Sequence, residues 1–191
     1  LNNFKFATRE QLQQLHELGS DRNALKVLNQ MKEYLSIRTH NGRNVYYLSN
    51  LGREIIGVET EVKWSLTVDH HLLRNDMYLY FNCPGDWRIE QKINFKYKNG
   101  LSYKESSIIP DATFTLHNTF HFLEVDRTQS MSENKKKISQ YKLLAPAIEE
   151  QFKQQPILVF YTTTEHRREL LKKLCSEVGL QHKIITKEDI R

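Results

Sequence analysis

The sequence has 191 residues, 39% hydrophobic and 27% charged, with opposite charges interspersed and a net charge of +5. That composition argues against a disordered tail, and no apolar run approaches the ~20 residues of a membrane span. Two distant cysteines, Cys83 and Cys175, argue against a disulfide framework or a zinc site and for free thiols in a reducing cytoplasm, while the positive balance is compatible with a polyanionic partner.

The length suits two small domains, and residues 1–57 read as the first. Thr8, followed three positions later by Gln11, makes a capping-box start, and Leu12, Leu15 and Leu18 then share one helical face. Gly19-Ser20 closes that helix. Ser20 or Asp21 caps a second, with Leu25, Leu28 and Met31 inward and Arg22, Asn23, Lys26, Asn29 and Gln30 outward. LSIRTH and RNVYYL are strand-like runs joined by Asn41-Gly42, a strong hairpin signal. Two helices followed by a hairpin follow the plan of a winged helix, with the usual first helix missing before Phe4. Because the chain starts with Leu1 rather than Met, an upstream element is to be expected. In such a domain the second helix enters the major groove, where Asn, Gln, Arg and Lys reach base edges. The hairpin then offers Arg38, His40, Arg43 and Asn44 to the DNA backbone or minor groove.

Residues 58–65 show no period and read as a linker, leaving residues 66–191 as the second domain. A helix is expected over 66–81, then strands in WRIEQKINF and SSIIPDATFTL with a turn at Lys98-Asn99-Gly100, then FHFLEVDRTQ as a third strand. A long helix from Ser132 to about Phe152 follows. Pro146 should kink or break it near Ala145, and Lys135, Lys136 and Lys137 crowd its start against the helix dipole. ILVFYTT, HRRELLKKLCSEV and QHKIIT complete the order as strand, helix and strand.

Candidate chemistry lies in FHFLEVDRTQ. On a strand Phe120, Phe122, Glu124 and Asp126 share one face, so two like charges sit side by side in an apolar run. Asp111, in IIPDATF, is a third acid in a setting that disfavours it. A hard divalent cation resolves the conflict. Mg2+ takes one or two carboxylates and keeps several waters, as phosphodiester hydrolysis needs. Asp111, Glu124 and Asp126 converge if their strands are antiparallel neighbours. Glu90, on the same strand face as Arg88 and Lys92, reads either as a supporting carboxylate or as an exposed charged edge, and Arg127 either contacts DNA or pairs with Asp126.

Pro110-Asp111, Glu124-Val125-Asp126 and the helical Gln140-Tyr141, in this order of elements, resemble the PD-(D/E)XK nuclease superfamily. More narrowly, a winged helix followed by the PDA strand, the FLEVDR strand and a Lys- and Tyr-bearing helix resembles the replication-relaxation family of bacterial plasmids and integrative elements, over nearly the whole chain. The resemblance implies an α+β protein, an N-terminal winged helix-turn-helix followed by an α/β PD-(D/E)XK-like core with a mixed central sheet flanked by helices. It implies a cytoplasmic protein that binds double-stranded DNA in plasmid replication, relaxation or transfer, with other replication or transfer proteins, or a second copy in a homodimer, as further partners. Mg2+ or Mn2+ would sit on Asp111, Glu124 and Asp126, with Glu90, Gln140 and Tyr141 in support. One departure bears on the chemistry. Asp126 stands where the superfamily keeps its catalytic lysine, so either Asp126 or Lys137, which shares a helical face with Tyr141, would steer the attacking water in an endonuclease or nickase. Otherwise the core binds DNA without cutting it. The alternative from another class is a transcriptional regulator whose inactive C-terminal domain serves dimerisation or DNA binding.

Overall fold

The computed structural model describes residues 4–190, so residues 1–3, where the first domain was expected to begin, lie outside the described residues. Two compact units make up the chain, Leu1–Cys83 and Pro84–Arg191.

In the first unit, consecutive left-handed residues, Asn41 at φ 50° and Gly42 at φ 75°, reverse the chain between β2 (Leu35–His40) and β3 (Arg43–Leu48). This is the two-residue turn that suits the twist of an antiparallel pair. A two-residue strand, β1 (Ala7–Thr8), pairs with the other edge of β3. Helix α1 (Arg9–Leu15) begins with the expected capping box between Thr8 and Gln11, and α2 (Asp21–Gln30) begins at Ser20, whose hydroxyl accepts from the Asn23 N–H. The core gathers Phe4, Ala7, Leu12, Leu28, Leu35 and Tyr46.

Three expectations are corrected here. Helix α2 buries Ala24 and Leu28, an i, i+4 pair, whereas Leu25 and Met31 are exposed at 44% and 43%, because the stripe through Ala24 and Leu28 is the one turned to the core. After α3 (Asn50–Ile55), residues 58–65 are irregular, but they are packed: Val62 and Trp64 lie against Phe6, Val45 and Val68. The helix expected to open the second domain, α4 (Val68–Tyr80), belongs to the first unit. It is fastened there by polar contacts as well as by packing. The Asn75 side chain donates to the Phe6 carbonyl at 2.7 Å, and the Gln11 amide donates to the Leu72 carbonyl at 2.8 Å and to Asp76 at 2.6 Å.

The second unit is α+β. Its mixed sheet runs in the order β10-β9-β8-β7-β4, made of β4 (Arg88–Ile89), β7 (Ala112–Leu116), β8 (Thr119–Asp126), β9 (Ile157–Thr162) and β10 (His182–Ile185). The pairs among β4, β7 and β8 are antiparallel and those among β8, β9 and β10 parallel. Helices α5 (Met131–Phe152) and α6 (Glu165–Glu177) provide the crossovers that the parallel pairs need. A separate antiparallel ribbon is formed by β5 (Ile93–Asn99) and β6 (Ser102–Ile108).

Each of the two runs expected to be one strand is therefore two. WRIEQKINF breaks at Glu90, whose φ of 51° leaves the extended region, and SSIIPDATFTL breaks at Pro110, which has no N–H to give a ladder. Helix α5 also departs from expectation: it continues through Pro146 to Phe152. Leu144 and Ile148, buried on either side of the proline, hold the two flanking turns against the sheet. The lysine-rich start of α5 is offset by a second capping box, in which Glu133 accepts from the Ser130 N–H and places a carboxylate in the first turn. Both cysteines are free, and among the described residues no helix is long and apolar enough to cross a membrane.

One glycine position in the first unit is fixed by close packing. A Cβ on Gly52 would collide with the Tyr34 carbonyl of the backbone that α3 leans on. Gly52→Ala is expected to lower stability by about 1–3 kcal/mol in denaturant unfolding, as overpacking does, while the open Gly85→Ala changes it little.

Candidate functional site

Strand β8 is the centre of the mixed sheet, with β7 on one side, paired as far as Leu123, and β9 on the other, paired to Asp126. Helix α5 covers the face to which Glu124 and Asp126 point, and both side chains are fully buried. The spacing of α5 matches the task. Asn134, Lys137, Ile138 and Tyr141 recur at i, i+3, i+4 and i+7, one stripe down one side.

Glu124 receives two of these residues. Lys137 Nζ donates to its Oε2 at 2.5 Å and the Tyr141 hydroxyl to its Oε1 at 2.6 Å. Burial, with the Asp111 charge adding to it, pushes the Glu124 carboxyl up from 4.5 to about 7, against the opposing pull of Lys137 and Tyr141. Burial works against the charged form of Lys137, but the Glu124 carboxylate outweighs it and the ammonium is held above its usual range. The Tyr141 phenol is pushed well up, first by burial and then by Glu124. Asp111 lies just ahead of β7, whose antiparallel register with β8 pairs Ala112 with Leu123. Its N–H donates to the Leu123 carbonyl at 3.0 Å, and its carboxylate accepts the Val125 N–H at 2.7 Å. Asp111, Glu124, Lys137 and Tyr141 therefore form one neighbourhood.

Asp126 is in a different one. Arg167, from the first turn of α6, grips it with both Nε and Nη2 at 2.7 Å, a bidentate pair of the strong kind. The Asn134 amide at 2.9 Å and the Thr162 hydroxyl at 3.1 Å complete four donors on one carboxylate. Arg167 also donates to the Gln129 carbonyl at 2.6 Å, tying the loop after β8 to α6. These four donors leave Asp126 no lone pair aimed at a ligand. Among the described residues no cluster of three His, Cys, Asp or Glu side chains is disposed to hold a metal ion. The expected trio is split, leaving Asp111 with Glu124 as the neighbouring carboxylates.

The other expected residues lie further out. Glu90 is exposed, although its N–H donates to the Asp111 carbonyl at 3.3 Å, and Gln140 is half-buried outside the Glu124 and Asp126 hydrogen bonds. Arg127 is exposed, and Arg167 supplies a guanidinium to Asp126. Arg167 was not legible as a partner, being 41 residues from Asp126. Asn134 and Thr162 had fainter signals: Asn134 stands one helical turn before Lys137, and Thr162 ends a buried strand at the position paired with Asp126.

In the first unit, the exposed side of α2 presents Arg22, Lys26, Asn29 and Gln30 around Leu25, and these five residues line a shallow open depression. Asn23 instead donates to the Leu18 carbonyl at 2.8 Å and braces the turn between the helices. At the hairpin, Arg43 and Asn44 are exposed, with Asn44 accepting from Thr39 at 3.2 Å. His40 is engaged with Asp69 at 2.7 Å, and the Arg38 guanidinium stacks over Trp64 at 4.7 Å.

The family model described as "Replication-relaxation" matches residues 1–157, from the start of the chain to the first residue of β9. The crystal structure of protein VC1899 from Vibrio cholerae aligns at 14% identity and a TM-score of 0.41, over 90% of this chain and 42% of that one. The chain thus spans less than half the length of that protein, and the likeness is too loose to carry an argument. No curated protein matches.

The Glu124 carboxyl makes stability depend on pH. Its pKa of about 7 in the fold lies above the ordinary 4.5, so the folded state holds the proton more tightly. Its contribution is fully present below about 4.5 and is lost as pH rises through about 7. Wild-type denaturation midpoints should fall across that window and those of Glu124→Gln should fall less; equal slopes would contradict the assignment.

Proposed function

Because the chain belongs to the replication-relaxation family, we propose that it is a double-stranded-DNA-binding protein of a bacterial mobile element that acts in plasmid replication, relaxation or transfer. The observation that carries this reading is the exposed side of α2, where Arg22, Lys26, Asn29 and Gln30 surround Leu25 with no acidic residue among them. Those are the side chains that reach guanine and adenine edges, with an apolar group suited to a thymine methyl. The helix pair and hairpin then act as a winged helix, with α2 as the recognition helix and Arg43 and Asn44 on the DNA backbone. Under this reading Asn23, His40 and Arg38 shape the surface and do not read bases. Arg22→Ala with Lys26→Ala should weaken duplex binding roughly tenfold or more and make its salt dependence shallower. Unchanged affinity and salt slope would remove α2 from the interface.

A second reading, a metal-dependent endonuclease or nickase built on a PD-(D/E)XK-like core, is favoured by one specific contact, Lys137 Nζ on Glu124 beside Asp111. A lysine from the helix would then take the role for which the strand, with Asp126, supplies none. Two carboxylates are the number that Mg2+ commonly takes from protein, so Asp111 and Glu124 fit as its holders and Asp126 does not. When bound, Mg2+ or Mn2+ would lower the pKa of a water and stabilise the leaving oxygen. Lys137 would position the attacking water or the scissile phosphate, and Tyr141 would keep Glu124 oriented. Supercoiled plasmid incubated with either metal should yield relaxed or linear product with the wild type, and none with Asp111→Asn or Lys137→Ala. Product absent from the wild type, or equal from all three proteins, would overturn this second reading.

A further inference from the structure

The β5–β6 ribbon stands outside the mixed sheet as a sheet of its own. One face anchors it: Ile93, Phe95 and Ile108 pack into the core of the second unit, which also contains Ile138 and Tyr141 of α5. Alternation turns Asn94, Lys96 and Lys98 of one strand, and Tyr103 and Glu105 of the other, to the opposite face. Asn99 pairs with Ser102, so Gly100 and Leu101 form the apex, with Gly100 at φ 65° making the reversal.

Two features of the far end are unusual together. Its large apolar groups are turned to solvent, with Leu101 fully exposed (106%) and Tyr103 at 73%. Near them stand Lys96 and Lys98 on the Tyr103 face and Lys104, paired with Tyr97, on the other, all exposed; across residues 92–108 there are four lysines and one acid, Glu105, which Lys96 engages at 3.2 Å. An apolar tip alone would suit another protein surface. An apolar tip ringed by cations suits a polyanion whose interior is apolar, and in duplex DNA phosphates flank stacked bases.

We propose that the β5–β6 ribbon is a second DNA-contacting arm, with Lys98 and Lys104 on phosphates and Leu101 and Tyr103 against base or sugar surfaces in a groove. A two-stranded ribbon fits the ~12 Å width of a major groove, and apolar side chains at the end of an arm wedge against base steps in architectural proteins. This arm rests on the DNA-binding reading above but uses none of the residues of α2.

The test measures duplex affinity against salt for the full chain and three double variants: Lys98→Ala/Lys104→Ala, Leu101→Ala/Tyr103→Ala, and Arg22→Ala/Lys26→Ala. All the ribbon positions are exposed, so the ribbon variants should retain the wild-type circular dichroism. The lysine variant should flatten the log-log salt slope by roughly 2, at about 0.9 for each phosphate that is no longer neutralised. The tip variant should weaken binding about fivefold or more with the slope unchanged. If only the α2 variant loses affinity, the arm is wrong and the DNA-binding reading stands. If only the ribbon variants lose affinity, the arm stands and α2 is misassigned. A wild type that binds no duplex removes both. A tip variant with unaltered affinity but a smaller solution mass would make the ribbon an interface between copies, which also overturns the arm.

Discussion

Two carboxylates buried two residues apart on the central strand are the constraint around which the second unit is organised. Removing one such charge from water costs several kcal/mol after relaxation, and here neither Glu124 nor Asp126 retains any exposure. The fold meets the two costs in different ways. Asp126 is given four donors, two of them from one guanidinium, an arrangement that draws α5, α6 and β9 onto the end of β8. Glu124 is given one ammonium, one phenol and a like-charged neighbour, an arrangement that leaves its proton affinity near neutrality. A closed pair and an adjustable one thus lie side by side, and only the adjustable one has Asp111 beside it.

Much of this was legible because it depends on short periods. The i, i+2 spacing of Glu124 and Asp126, the i, i+4 spacing of Lys137 and Tyr141, and the Asn-Gly turn of the hairpin are local geometry that any extended, helical or turning chain imposes. What escaped notice depends on sequence-distant partners. Nothing near Asp126 announces Arg167. Nothing in the composition of residues 66–81 says whether that helix packs forward or backward, because an amphipathic helix fits either neighbour until a group such as Asn75 finds its carbonyl at Phe6. The exposure of Leu25 escaped for a third reason. A single apolar residue on an exposed helix face looks like core to a periodicity argument, and only the burial of Ala24 and Leu28 shows that Leu25 faces outward.

The matched family region ends where β9 begins, and that boundary divides the two carboxylates by their partners. Asp111, Glu124, Lys137 and Tyr141 all fall within it, so the adjustable site is assembled from matched sequence. Thr162 and Arg167 fall beyond it, so the fixed pair is completed by the last strands and helix of this chain.

The packing of Trp64 and α4 on the first unit has a bearing on how the head could be inherited or moved as a module. A recombination point placed in the irregular stretch 58–65 would look harmless in sequence, yet it would separate Phe6 from Trp64, its ring neighbour at 5.4 Å, and from the Asn75 amide that meets its carbonyl. The transferable piece is the longer one ending near Cys83, which carries α4 and its own core. Any chimera joining this head to a different second unit would need its seam at Cys83–Pro84.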